Sequence, residues 1–495
     1  MKHRFSRRLF LTTSLFALAG AAVAEAPARS LRPVPRPGSA KPVVLGAAGL
    51  IAKANLSGRI AYAVADVKTG LLLESRESTA GLPPASVAKA VTALYALDAL
   101  GPTHRFATRL ISSGTLSNGV LNGNLYLVGG GDPTLDTDAL ADMAAQLKAA
   151  GVREVRGKFL VWDGQLPRLS EIDRDQPEQV SYNPAISGIA LNFNGVHFEW
   201  KRKGKGYGVT MEARTERYRP GVDMARMKII ARNTPVFTYD SRNGRDLWTV
   251  AQGALGKGGS RWLPVRHPAE YAGDVFRTLA RAHGIALREA EVSRIRPNGR
   301  ALVTHQSGEL GKILRDMLKY SNNLTAEMVG LSATVARRGS VGSLAASAGE
   351  MNRWSATNLG MQSAKLVDHS GLGEKSRLSA AELTQALVKV YKEGRLKPIL
   401  KKISLRDAKG RVIKSHPIKV QAKTGTLNFV SGLAGYVTAQ DGTELAFAFF
   451  GADTKARAGI PRSDRERPRG AAGWNKRAKQ LQQALIERWG ALYGS

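Results

Sequence analysis

The stretch PPASVAKAVTALYALDAL, Pro83 to Leu100, reads as a helix opened by two prolines, stopped by Gly101-Pro102 and apolar on every side. Between Ser86 and Leu100 the only charged residues are Lys89 and Asp98, the pattern of a helix wrapped by the rest of its domain. Ser86 and Lys89 are one turn apart, so their side chains can meet on one face. At a surface they would be a helix-start serine and a solvated charge. Composition alone predicts about two Ser-x-x-Lys spacings in a chain of this length, and one is present. Burial changes its meaning, because a desolvated lysine loses its proton more readily and becomes a neutral amine. A hydroxyl beside a neutral amine is an activated nucleophile.

A nucleophile and a base need an acyl-transfer site around them. Lys-Thr-Gly occurs at Lys68 and at Lys423. The first falls in a hairpin turn before the serine helix and reads as turn chemistry. The second, Lys423-Thr424-Gly425, sits in a strand-like run, where glycine is expected to let a ligand backbone lie along the edge. Ser-x-Asn occurs at Ser181, Ser241 and Ser321. Only KYSNNLTAEM lies between two helical segments and between the other two motifs, so Ser321 and Asn323 are preferred, with Ser181 and Asn183 as runner-up.

Taken in order, Ser86-x-x-Lys89, Ser321-x-Asn323 and Lys423-Thr424-Gly425 resemble the three motifs of penicillin-binding proteins and serine β-lactamases. The long gap between the first two motifs resembles the class C D-alanyl-D-alanine carboxypeptidases/endopeptidases of the DacB type, in which domains are inserted into the transpeptidase domain. The segments YSNNLTAE, DHSGLG (Asp368 to Gly373) and GGGDPTL (Gly129 to Leu135) are similar to that family too. His369 departs from it, since glycine is common there, and this leaves the shape of that part of the cleft open.

The resemblance implies an α/β (α+β) fold: an antiparallel sheet flanked by helices, with β-rich domains inserted between the first and second motifs. It implies that Ser86 attacks the carbonyl between two D-alanines while Lys89 takes its proton. Ser321 would relay a proton to the leaving amine, and Asn323 would hold the substrate amide. Lys423, Thr424, Gly425 and Thr426 would receive the terminal carboxylate, with Leu372 also lining the cleft. Backbone N–H groups of Ser86 and Thr426 would form the oxyanion hole. The implied partners are peptidoglycan peptides ending in D-Ala-D-Ala, with β-lactams as covalent inhibitors. No cofactor or metal is implied, and none of the eight histidines sits in a triad or metal motif.

The address agrees with such a substrate. MKHRFSRRLFLTTSLFALAGAAVAEA carries Lys2, Arg4, Arg7 and Arg8, then an apolar stretch, then small residues at Ala22, Ala24 and Ala26, the pattern of an export signal over 1–24. SRRLFL resembles a twin-arginine signal, with an ordinary secretory signal as the alternative; either points to the periplasm. No later segment reaches the roughly 20 apolar residues of a membrane helix. The chain has no cysteine, which excludes disulfides and thiolate metal sites. Its net charge is +33, or +29 without the four cations of the signal. Such basicity suggests an anionic partner, and export favours a membrane surface or cell-wall polymer over nucleic acid.

Residues 25–42, with LRPVPRPGSAKP, read as a linker. The catalytic domain is expected to be discontinuous, 43–110 and 289–495, around inserted domains at 111–288, two of them, one nested in the other. RIAYAVADVKTGLLLES reads as two strands turned at Thr69-Gly70. Near the C-terminus three strands, two of them joined through an Asp441-Gly442 hairpin, precede a helix carrying Trp474, Ala478, Leu481, Leu485 and Trp489 on one stripe. Tyr182, Asp173, Asp175 and Glu178 are expected on a solvated loop. The expected activity is a serine D-Ala-D-Ala carboxypeptidase/endopeptidase; the alternatives are a β-lactamase and a non-catalytic peptidoglycan-binding protein.

Overall fold

The strand RIAYAVAD (Arg59–Asp66) is buried at every position from Ile60 to Ala65. Its alternation therefore divides it between two cores: Ala61 and Ala63 face one, Ile60, Tyr62 and Val64 the other. In the computed structural model, which describes residues 46–494, this strand lies inside a six-stranded sheet. The order runs Lys401–Ile403, Lys419–Leu427, Val430–Thr438, Glu444–Ala452, Arg59–Asp66, Leu72–Arg76, and every pairing is antiparallel. The export signal and linker expected from the sequence lie outside the described residues.

Helices cover both faces of this sheet. On one face the C-terminal helix Ala471–Tyr493 buries Trp474, Ala478, Leu481, Leu485 and Trp489, the stripe read from the sequence. Trp489 packs against Tyr62 and Phe447. On the other face lies the helix Ala88–Leu100, buried at every residue from Ala88 to Leu97 and enclosed by helices Leu310–Tyr320, Asn323–Arg338, Leu344–Leu359 and Ala380–Tyr391. A helix with so little exposed surface has no polar face to show, which is why its sequence is apolar all round.

After this helix the chain enters a second sheet of five strands, ordered Ala290–Ser293, Phe159–Trp162, Leu125–Val128, Ala107–Ser112, Arg300–Gln306. Its last strand to form in sequence, Arg300–Gln306, pairs with its first, Ala107–Ser112. The chain thus returns beside its point of departure just before Ser321. Helices Thr137–Ala149 and Pro268–Ala282 share a second core with this sheet, and three three-stranded sheets complete the region. Among the described residues no helix is long and apolar enough to cross a membrane.

Candidate active site

The serine helix begins differently from its sequence reading. Ala85–Val87 form a single 3-10 turn, and the α-helix starts at Ala88. Ala85 adopts φ 47°, a left-handed conformation unusual for a residue with a side chain. Two glycines make the tight turn fit its surroundings. A methyl group on Gly425 would come within 2.6 Å of the Pro84 carbonyl oxygen, and one on Gly371 within 1.9 Å of the Ala85 oxygen. The glycine of Lys423-Thr424-Gly425 therefore makes room for the turn that carries Ser86, a neighbour the sequence did not point to.

Lys89 is fully buried, and its Nζ lies 2.9 Å from Ser86 Oγ, 2.7 Å from Asn323 Oδ1 and 2.8 Å from the Ser370 carbonyl oxygen. Two of these three neighbours can only accept. A neutral amine has two N–H donors, which these two oxygens use, and its lone pair is left facing the Ser86 hydroxyl. Burial pulls the Lys89 pKa down to about 7, although the carboxylates of Glu327 and Asp368 pull the other way.

The segment Tyr320-Ser321-Asn322-Asn323 is a junction of two helices. Ser321 closes Leu310–Tyr320 in the left-handed conformation, φ 64°, and Asn322 caps the next helix by accepting from Thr325 N. Asn323 is the first residue of that helix, so its side chain projects from a fixed point. Its Oδ1 accepts from Lys89, and its Nδ2 donates to the Tyr182 carbonyl oxygen at 2.9 Å. Ser321 Oγ accepts from Lys423 Nζ at 2.8 Å, and Lys423 also donates to the Thr424 carbonyl oxygen. Lys423 is buried, and desolvation, then the nearby charge of Lys89, holds its pKa well below the ordinary lysine value.

Thr424, Gly425 and Thr426 lie on the strand Lys419–Leu427. Its outer neighbour Lys401–Ile403 pairs only with Val420 to Ala422, so the edge from Lys423 onward is open there. Thr426 is exposed and Thr424 half-buried. The other Lys-Thr-Gly, at Lys68, lies in an exposed turn in which Asp66 accepts from Thr69, and Gly70 has φ 75°. Of the two remaining Ser-x-Asn segments, Ser241 contacts His267 and lies elsewhere, while Ser181-Tyr182-Asn183 meets the site through the Tyr182 carbonyl. Asn183 is fully buried, accepting from the N–H groups of Ile172 and Asp173 and donating to the Asp173 carbonyl. The loop that carries Tyr182 is thus tied down and not merely solvated, because Asn183 satisfies its backbone from within.

Two buried carboxylates escaped the sequence reading. Glu327 lies one turn along from Asn323 and accepts from His369 N and Ser370 N, each at 2.9 Å. Asp368 accepts from Gly371 N at 2.7 Å and Gly373 N at 2.6 Å. Four backbone donors thus fix the loop that aims the Ser370 carbonyl at Lys89, and Leu372 is buried within it. Burial raises the pKa of both acids, that of Glu327 to about 8. The i, i+4 spacing from Asn323 to Glu327 was the available signal.

His369 does not reshape the cleft. Its ring is buried in the core, 2.7 Å from Ser347 Oγ and stacked at 6.3 Å on Tyr95. It fills space above Gly330, where an added methyl would lie 2.2 Å from the ring. Burial lowers its pKa to about 3, so it stays neutral. Among the described residues no group of three or more His, Asp or Glu side chains is placed to hold a metal ion.

Known proteins share this arrangement of elements. A D-alanyl-D-alanine carboxypeptidase of Actinomadura sp. strain R39 is 29% identical over 427 residues, covering 78% of this chain and 76% of its own. The D-alanyl-D-alanine carboxypeptidase DacB of Haemophilus influenzae is 25% identical over 389 residues, covering 74% of this chain and 79% of its own. The crystal structure of penicillin binding protein 4 (dacB) from Haemophilus influenzae superposes with a TM-score of 0.72 at 20% identity, covering 89% of this chain and all of that one. A second structure of that protein, complexed with a novel β-lactam, gives a TM-score of 0.70. Residues 47–465 match the sequence model of the D-Ala-D-Ala carboxypeptidase 3 (S13) family, and the chain belongs to that family.

Proposed function

We propose that Ser86 is the nucleophile of a serine-type D-Ala-D-Ala carboxypeptidase acting on peptidoglycan stem peptides. The observation that carries this reading is the placement of the buried Lys89 Nζ, 2.9 Å from Ser86 Oγ and within hydrogen-bond distance of two further oxygens that can only accept. In this reading Lys89 takes the Ser86 proton as Oγ attacks the carbonyl between the two D-alanines. The N–H groups of Ser86 and Thr426 receive the oxyanion, each worth about 3 kcal/mol in the transition state. The open edge at Thr424 to Thr426 receives the substrate backbone as an added strand, and Lys423 supplies positive potential for its terminal carboxylate. Ser321, bonded to Lys423, passes a proton to the departing D-alanine amine. Water then releases the acyl-enzyme.

The family membership and the export signal together support a periplasmic enzyme acting on the wall, with residues 111–288 as domains inserted into the catalytic one. A β-lactam would acylate the same serine. The test is to incubate the protein with fluorescent penicillin and, separately, with a D-Ala-D-Ala pentapeptide. Covalent label and release of D-alanine are both expected, and both should vanish in Ser86→Ala; label persisting in that variant would overturn the assignment.

A further inference from the structure

A cavity of about 1460 Å³ lies apart from the serine itself. It is an open trough whose walls come mainly from four places: the strand Gly258–Pro264, the segment 234–238, the loop 462–469 and the segment 177–181. Trp262 and Val236 line it while 39% and 40% exposed, an unusual degree for large apolar side chains inside a concavity. Phe237 lies beside them with the Arg261 guanidinium 4.8 Å above its ring, and Arg261 is itself paired with Glu466. Arg467 and Arg469 stand on the rim, exposed, and among the described residues neither side chain has an ion pair or hydrogen bond.

This trough begins where the serine cleft ends. Ser181 is part of its wall, and the next residue, Tyr182, accepts through its carbonyl from Asn323, which in turn holds Lys89. Three hydrogen bonds in series therefore connect the Ser86 hydroxyl to the trough's edge. A stem peptide of four residues spans about 13 Å when extended, long enough to run the length of these three hydrogen bonds, so a peptide laid along them with its far end at Ser86 brings the group that carries it to the trough. That group is a sugar. A pyranose offers a flat face of C–H bonds that packs on aromatic rings, a rim of hydroxyls and amides for polar side chains such as Glu178 and Asp464, and, in the wall, neighbouring peptide carboxylates for unpaired guanidinium groups.

We propose that the trough seats the N-acetylated glycan strand of the substrate, with Trp262 as the stacking platform and Arg467 and Arg469 as contacts for carboxylates of adjacent peptides. The proposal rests on the carboxypeptidase reading of Ser86. It makes the glycan, and not only the D-Ala-D-Ala end, a determinant of affinity.

The test compares one pentapeptide, free and carried on its N-acetylated disaccharide, as substrates of the full chain. Trp262→Ala is expected to leave KM for the free peptide unchanged and to raise KM for the disaccharide form about tenfold, the effect of losing one stacking contact. Arg467→Ala combined with Arg469→Ala, both exposed and safe for folding, should release the protein from insoluble wall while sparing both soluble substrates. Equal KM changes on the two peptides, or none, would overturn the glycan site, as would undiminished wall retention of the double variant. Fluorescent penicillin labelling of the wild-type chain is read in parallel; its absence would overturn the Ser86 reading instead, because it does not involve the trough.

Discussion

Lys89 and Asn323, 234 residues apart in sequence, are joined by a hydrogen bond of 2.7 Å from the lysine Nζ to the asparagine Oδ1. This bond does two things at once: it consumes one N–H of the amine, so that the lone pair faces Ser86, and it fixes the amide so that its Nδ2 reaches Tyr182. The proposed base and the residue proposed to hold the substrate amide are thereby positioned by one contact.

Replacing the base separates chemistry from folding. Arginine cannot supply a neutral amine at any pH compatible with folding. Lys89→Arg is therefore expected to lower the rate of acylation by fluorescent penicillin by a factor on the order of 10³, the range of a lost general base, followed by stopped labelling reactions. Near-wild-type labelling would point to another base.

The two asparagines of the competing motifs should fail in different ways. Asn323→Ala removes the partner of Lys89 and should cripple D-alanine release with little change in melting temperature. Asn183→Ala leaves the buried N–H groups of Ile172 and Asp173 without an acceptor, a loss of about 1–3 kcal/mol in stability, read by denaturant unfolding. The reverse pattern would move the active centre to the Ser181 loop.

Glu327 sets the pH at which the amine is free. When ionised it favours the charged form of Lys89, and the two groups titrate together, so removing it lets the amine lose its proton at lower pH. In the wild type, acylation should rise with pH through about 7 as the amine loses its proton. In Glu327→Gln that rise should come at lower pH, seen in rate profiles of penicillin labelling. A profile that moves to higher pH, or not at all, would show that Glu327 only holds the loop.

Gly330 and His369 form a matched pair. Gly330→Ala puts a methyl 2.2 Å from the imidazole and should cost at least the 1–3 kcal/mol typical of overpacking. Adding His369→Gly to it should restore part of the loss, giving a coupling energy in a double-mutant cycle. Strict additivity would mean that the ring does not occupy that space.

The residues that meet at Ser86 were legible to different degrees. Ser86 and Lys89 stand out because a charge is rare in so apolar a helix and conspicuous in one dimension, and Lys423 because Lys-Thr-Gly recurs there in a strand-like run. Ser321 was separable from Ser181 only by its position between helices. Glu327 and Asp368 were not legible as a set, since each looks like an ordinary acid until the loop that joins them is seen in space. The packing role of Gly425 was not legible for a related reason: its close neighbour is Pro84, more than three hundred residues earlier, and nothing local announces it. The departure at His369 was visible, but its harmlessness depends on Gly330, one turn beyond Ala326 on another helix.

The order in which the chain is made acquires a meaning from the six-stranded sheet. Arg59 pairs with Ala452, and Asp66 with Leu445, so the first strand to leave the ribosome waits for almost the last. Until Glu444–Ala452 arrives, the strand bearing Lys423 has no route into the sheet beside Arg59–Asp66, because it enters only through Val430–Thr438. Synthesis runs from the N-terminus at some 5–20 residues per second, and a nascent chain therefore carries Ser86 for many seconds without the surroundings that make it react. The protein is latent during its own production, and a break in the C-terminal strands would silence a serine made more than three hundred residues before them.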